Sequence, residues 1–161
     1  MAIARDEFHH RDWYRWAREQ ADGLRRLAEE RINTDLELGL IAEQIDEMAV
    51  SQRAALRSQL RRVIEHLLKL EYSPASGPRR MWALSIRDAR VKARDLLTTT
   101  LENETRAALA EIYEDARDLA ADAMRAYDED EAAAGLPPAC PYTFEQLLDR
   151  DWRPTPRHTE S

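Results

Sequence analysis

Residues Asp35 to Glu71 read DLELGLIAEQIDEMAVSQRAALRSQLRRVIEHLLKLE, and this stretch decides the fold. Ile41, Ile45, Met48, Gln52, Leu56, Leu60, Val63, Leu67 and Leu70 follow one another at steps of three or four residues. That spacing puts them on one stripe of an α-helix, and from Leu40 onward neither Gly nor Pro interrupts it. At ~1.5 Å per residue such a helix runs roughly 55 Å, whereas a globule of this chain length is about 40 Å across. The helix is therefore expected to bend near Ser51–Gln52, where the stripe thins, or to overhang and need a partner. Acids (Asp35, Glu37, Glu43, Asp46, Glu47) precede arginines (Arg53, Arg57, Arg61, Arg62) along it. The helix dipole favours that order, and Asp35 is the expected N-cap.

The flanking sequence supplies further helices. From Arg11 to Glu30, Trp13, Trp16, Ala17, Gln20, Leu24, Leu27 and Ala28 recur at helical spacing, with both tryptophans expected in the core. Residues 1–8 read as a loose lead-in. Ser73-Pro74-Ala75-Ser76-Gly77-Pro78 is the clearest break, short enough to return the next helix antiparallel to the long one. That helix, Pro78 to Leu97, has Trp82, Ile86, Ala89, Ala93, Leu96 and Leu97 on one face and six basic residues against two acids. Thr98-Thr99-Thr100 ends it. Glu102 to Ala134 reads as one acidic helix, eleven acids against three arginines, with Leu109, Ile112, Ala116, Leu119, Ala123 and Tyr127 inward. Gly135 and Pro137-Pro138 stop it. Thr143 and Gln146 form a capping box for a short helix through Leu148. Trp152 is expected to tuck against the body, and residues 153–161 to fray. No stretch reads as a strand. The expectation is an all-α, single-domain chain over 1–161: an antiparallel helical bundle organised on one long helix, with a short C-terminal clamp helix.

Composition narrows the function. A net charge of −7 weighs against general nucleic-acid binding. Cys140 is the only cysteine, which excludes an internal disulfide and a cysteine cage for a metal. No run of about 18 apolar residues marks a membrane span. A P-loop, a dinucleotide-binding glycine turn and a serine elbow are all missing from the sequence. Glu7-x-x-His10 has the spacing of a di-iron bundle ligand pair but occurs once. Glu43 and Glu47 point off the stripe, ~30 Å from His66 along the helix. No metal site and no cofactor are expected, and the expected setting is the cytoplasm.

Several segments together resemble a known family. They are Trp16-Ala-Arg-Glu-Gln20 with Leu24-Arg25, and Asp35 with Leu40-Ile-Ala-Glu-Gln-Ile-Asp-Glu-Met48. His66-Leu-Leu-Lys-Leu70 with Tyr72 and Pro74, Trp82 with Ile86 and Arg90, and Tyr113-Glu-Asp-Ala-Arg117 follow. Leu136-Pro137, Cys140-Pro-Tyr-Thr143 and Gln146-Leu-Leu-Asp149 complete the set. The chain resembles the bacterial helical family catalogued as domain of unknown function twenty-nine. The resemblance implies an all-helical bacterial protein and carries over no catalytic role.

Candidate binding residues come from side chains set close to the stripes. Ile45, Gln52, Gln59 and His66 share one position of a seven-residue repeat, so three polar groups line the margin of the seam. They either edge a polar groove or bond across to neighbouring helices, as buried polar groups must. Arg90 falls within the apolar stripe of its helix, where a guanidinium requires partners. Asp115 or Tyr113 could supply them, and an Arg90–Asp115 link is the expected one. With Trp82, the candidates are Gln52, Gln59, His66, Trp82, Arg90, Tyr113 and Asp115. The primary expectation is a non-enzymatic helical protein–protein interaction module, a homodimer or the holder of another protein. The alternatives are a small-ligand or anion site (or an enzyme) around His66 and Arg90, and a nucleic-acid accessory acting through an arginine patch.

Overall fold

The regular structure among the described residues is helical throughout, with no strand. The structure, a computed structural model, describes residues 2–158, with side chains from Glu7 onward. Eight helices follow in order: α1 (Ala2–Arg11), α2 (Trp13–Glu29), α3 (Leu38–Tyr72), α4 (Arg79–Leu96), α5 (Thr99–Ala107), α6 (Leu109–Ala126), α7 (Asp130–Ala134) and α8 (Phe144–Leu148). The fold class is all-α, built on the long helix α3, with the short helix α8 near the C-terminus. The chain divides into two compact units. One holds the residues up to Ala55 with Leu96–Glu104; the other holds Leu56–Asp95 with the chain from Thr105 onward.

The first unit has a core of small side chains. Ala17 and Ala21 of α2, Ala42 and Ala49 of α3, and Leu101 are fully buried, with Tyr14 nearly so. This corrects two sequence expectations. Trp13 and Trp16 are only half-buried, and Tyr14 is the buried aromatic. Along α3, Ile41 and Met48 are exposed, while Ala42 and Ala49, one position on, are buried. Here the small side chains take the buried face, and Asp46 pairs with Arg18 and Arg25 of α2. Helix α3 begins at Leu38 rather than Asp35, and Thr34 Oγ accepts the Leu36 amide in the turn before it. Residues 2–8, expected as a lead-in, lie within α1, whose His9 ring packs edge-on against Trp16 at 4.5 Å.

Asp12 joins the ends of two helices in this unit. Its carboxylate accepts the Arg15 amide as N-cap of α2, and the amide and hydroxyl of Thr100 at the start of α5, at 2.7–3.0 Å. Burial works to raise its pKa, but these bonds and the Thr98 hydroxyl outweigh it and hold the carboxyl below its ordinary 3.8. A depressed carboxyl stabilises the fold above the unfolded pKa and loses that contribution as pH falls through the folded one. Asp12→Ala is expected to cost about 2–3 kcal/mol at neutral pH, a lost cap plus orphaned donors at Thr100. Thermal melts of both proteins should converge as the pH drops below 3.8. A gap that stays constant down to pH ~2.5 would contradict the assignment.

The second unit carries most of the large apolar side chains. Leu56, Leu60, Val63, Ile64, Leu67 and Leu68 of α3 are fully buried, so from Leu56 onward the predicted stripe is core. Ile86, Ala89 and Ala93 of α4, and Ile112, Tyr113, Ala116, Ala120 and Met124 of α6, are buried in the same unit.

The single acidic helix expected over 102–134 is three helices. Thr105 and Ala108 form a tight turn between α5 and α6, the Ala108 amide donating to the Thr105 carbonyl. After α6, Asp128 adopts φ 62°, and Glu129 donates back to Met124 while Asp128 donates to Arg125. That left-handed closure terminates a helix even without glycine. Leu119 and Tyr127, expected inside, are exposed, and Ala120 and Met124 are buried instead.

Helix α8 has the predicted capping box, with Thr143 and Gln146 bonded reciprocally. The segment after it does not fray through residue 158. The Arg157 amide donates to the Glu71 carbonyl at 2.8 Å, its guanidinium meets the Glu71 carboxylate at 3.2 Å, and it lies over the Tyr72 ring. Trp152 packs edge-on against Tyr142, as a tucked tryptophan should. Residues 159–161 lie outside the described residues.

Candidate functional site

Arg90 is held by backbone. It is 2% exposed, and its guanidinium donates to the carbonyls of Gln146, Leu147 and Trp152, each at 2.9 Å. The first two of those carbonyls lie at the C-terminal end of α8, where helical acceptors otherwise go unpaired. The Arg90–Asp115 link expected from helical angles is not formed. Asp115 sits on the exposed edge of α6 and pairs with Arg61 of α3 at 3.7 Å, as Glu111 pairs with Arg57 at 3.4 Å. These complementary charges join α6 to α3. Burial pushes the Arg90 guanidinium down to about 10, which leaves it charged at neutral pH.

The other candidates have local partners. Tyr113, 2% exposed, donates its hydroxyl to the Pro137 carbonyl, and burial raises it to about 12. Gln52 donates to the Leu96 carbonyl at 2.9 Å. His66 Nδ1 stands 3.0 Å from the Arg62 carbonyl, and burial pushes the ring below its ordinary value. The carbonyl can only accept, so Nδ1 carries the proton. Gln59 Oε1 is buried with no hydrogen-bond partner among the described residues. Trp82, half-buried, lines a groove of about 560 Å³ with Lys69, Met124, Tyr127 and Glu129. Both charges in that groove are engaged, Lys69 with Glu65 at 2.6 Å and Glu129 with the Ser73 hydroxyl at 2.8 Å. Tyr127, 80% exposed, forms its rim. The Cys140 thiol is raised by burial and donates to the Tyr142 carbonyl, an inert setting. Among the described residues no three His, Cys, Asp or Glu side chains could hold a metal together. No helix among them is long and apolar enough to cross a membrane.

Two surfaces stand out. In the first unit, Ile32, Leu36, Leu40, Ile41 and Met48 are all exposed, Met48 at 59% and Leu36 at 62%. Met48 also lines a shallow depression of about 510 Å³ with Trp13, Gln44, Glu47, Ser51, Gln52 and Leu96. In the second unit, a groove of about 470 Å³ runs between Leu70, the α4 face carrying Arg80, Leu84 and Arg87, and the segment Arg153, Pro154 and Pro156. The sequence could not place that last segment. Its return depends on the Arg157–Glu71 contacts, 86 residues apart, which leave no local signal.

Comparison with known proteins agrees with the fold. The family model described as domain of unknown function DUF29 matches residues 8–153. A solved structure, an alpha-helical protein of unknown function from Rhodospirillum rubrum, superposes with a TM-score of 0.78 at 26% identity. The match covers 89% of this chain and 90% of that one. No curated protein matches.

Proposed function

This chain belongs to the family described as domain of unknown function DUF29, and on that premise we propose that it is a helical protein–protein interaction module. Its partner in this reading is a second copy of the chain, paired through the N-terminal half of α3. The supporting observation is the exposed apolar edge of that half-helix. Ile41, Ile45, Met48, Gln52 and Ala55 alternate at steps of four and three, the spacing of a helix-pairing seam, with Ile41 and Met48 exposed and the other three half-buried. Large apolar side chains left in water on a regular seam mark an interaction surface.

The seam also suits a copy of itself. It carries no charge, so two copies meet without like-charge repulsion in a chain of net charge −7. Glu43 and Glu47 lie off its centre, and Asp46 is occupied by Arg18 and Arg25. One polar group, Gln52, lies toward the end of the seam, its amide already donating to the Leu96 carbonyl of the same chain. An interface this small belongs at the low end of the size range, so pairing is expected at roughly micromolar concentration.

Met48→Asp tests the reading. It places a charge in the middle of the seam and touches nothing buried, so the monomer fold should survive with an unchanged helical spectrum. Chemical cross-linking at about 100 μM should give a dimer band for the native chain and none for the variant. Equal bands in both would remove the seam from the account.

A further inference from the structure

The groove bounded by Arg79, Arg80, Arg87 and Arg153 is a different surface, independent of the α3 seam. We propose that it is a binding site for a small organic phosphate, a phosphate monoester attached to an apolar body. Four guanidinium groups from two separate segments line it, and no carboxylate does. Arg79 is committed to structure, donating to the Ser73 and Leu70 carbonyls. Arg80, Arg87 and Arg153 have no carboxylate within ion-pair distance among the described residues.

In an acidic protein this is a local inversion of charge. Two of the acids on the same elements are engaged elsewhere. Asp88 pairs with Lys92 at 2.8 Å, and Asp149 accepts the amides of Asp151 and Trp152. Three unpaired arginines facing one groove carry unfavourable mutual repulsion that an anion would relieve. Their planar forks match phosphate oxygens bidentately.

Helix α4 strengthens the site. It begins at Arg79, and its first ladder bond runs from the Trp82 amide to the Pro78 carbonyl, so the amides before Trp82 lack helical partners. Free first-turn amides and the positive end of the dipole lie beside Arg79 and Arg80, an arrangement that favours anions. The remaining walls set the rest of the ligand. Leu70, Ala83, Leu84, Pro154 and Pro156 are apolar, and Leu84 is exposed with nothing on it. A bare phosphate would leave these uncovered, whereas an ester with a ring or short chain would cover them.

The test uses phenyl phosphate, inorganic phosphate and phenol against the full chain, followed by NMR at low salt. The Leu84 methyls and the Arg80 and Arg87 Nε resonances report. Phenyl phosphate should shift them saturably and bind several-fold more tightly than inorganic phosphate, and phenol should not bind. The Arg80→Gln/Arg87→Gln double variant should weaken phenyl phosphate at least tenfold, from two lost charge-assisted contacts. Its thermal midpoint should be unchanged, because both side chains are exposed. Arg62→Gln, on an exposed residue outside the groove, should bind like the native chain. Absence of phenyl phosphate binding at millimolar concentration would overturn the proposal, and so would equal binding by the double variant. Saturation only by an oligonucleotide or by anionic lipid vesicles would also overturn it.

Discussion

Replacing Arg90 with Ala is expected to cost about 3–5 kcal/mol, among the largest losses available to a single substitution in this chain. The reason is what remains afterwards. Three carbonyls, those of Gln146, Leu147 and Trp152, converge on the guanidinium. Removing it leaves all three without their donor, the Leu147 carbonyl in a buried setting and the other two part-buried. A buried acceptor without a donor costs about 1–3 kcal/mol. Arg90→Lys should recover little, since one ammonium cannot reach three acceptors arranged for a planar fork. Arg90→Met tests the same point from the packing side. It fills volume but donates nothing, and should still lose at least 2 kcal/mol. Urea unfolding of the three variants is the measurement. If Arg90→Met matches the native chain, the guanidinium does not hold the C-terminal segment.

Leu67→Ala is the second large effect, expected at about 3 kcal/mol. Leu67 is fully buried, as are Leu60, Val63, Ile64 and Leu68 on the same helix. Truncation removes apolar burial and leaves a cavity that rigid helix backbones cannot close. Leu40→Ala on the same helix provides the contrast. Leu40 is 51% exposed, so the change should stay within about 0.5 kcal/mol. If the two substitutions cost the same, the larger apolar side chains in the first half of α3 are not outside the core as described.

That division explains what could be read from the sequence. The nine-residue apolar stripe announced a long helix, and α3 is one, from Leu38 to Tyr72. Periodicity reports which residues share a face, but not which face meets a neighbour. In the second half, leucines at the stripe positions make it the core. In the first half, alanines at 42 and 49 are the buried residues, and the larger Ile41 and Met48 beside them are left outside. Similarly, Arg90 was legible as a buried cation because its angle falls inside a stripe. Its partners were not legible, because backbone carbonyls 56–62 residues away carry no residue-type signature. Breaks inside the acidic stretch were missed for a related reason. Asp128 takes the left-handed position that usually calls for glycine, and nothing in the composition marks it.

The α3 seam carries the functional account, and the solution mass tests it most directly. Sedimentation equilibrium on the native chain over roughly 1–200 μM spans the expected dissociation range. The expected mass of the native chain rises with concentration from 18.7 kDa toward twice that value, with Met48→Asp fixed at 18.7 kDa throughout. A native chain that stays at 18.7 kDa across the whole range would contradict it.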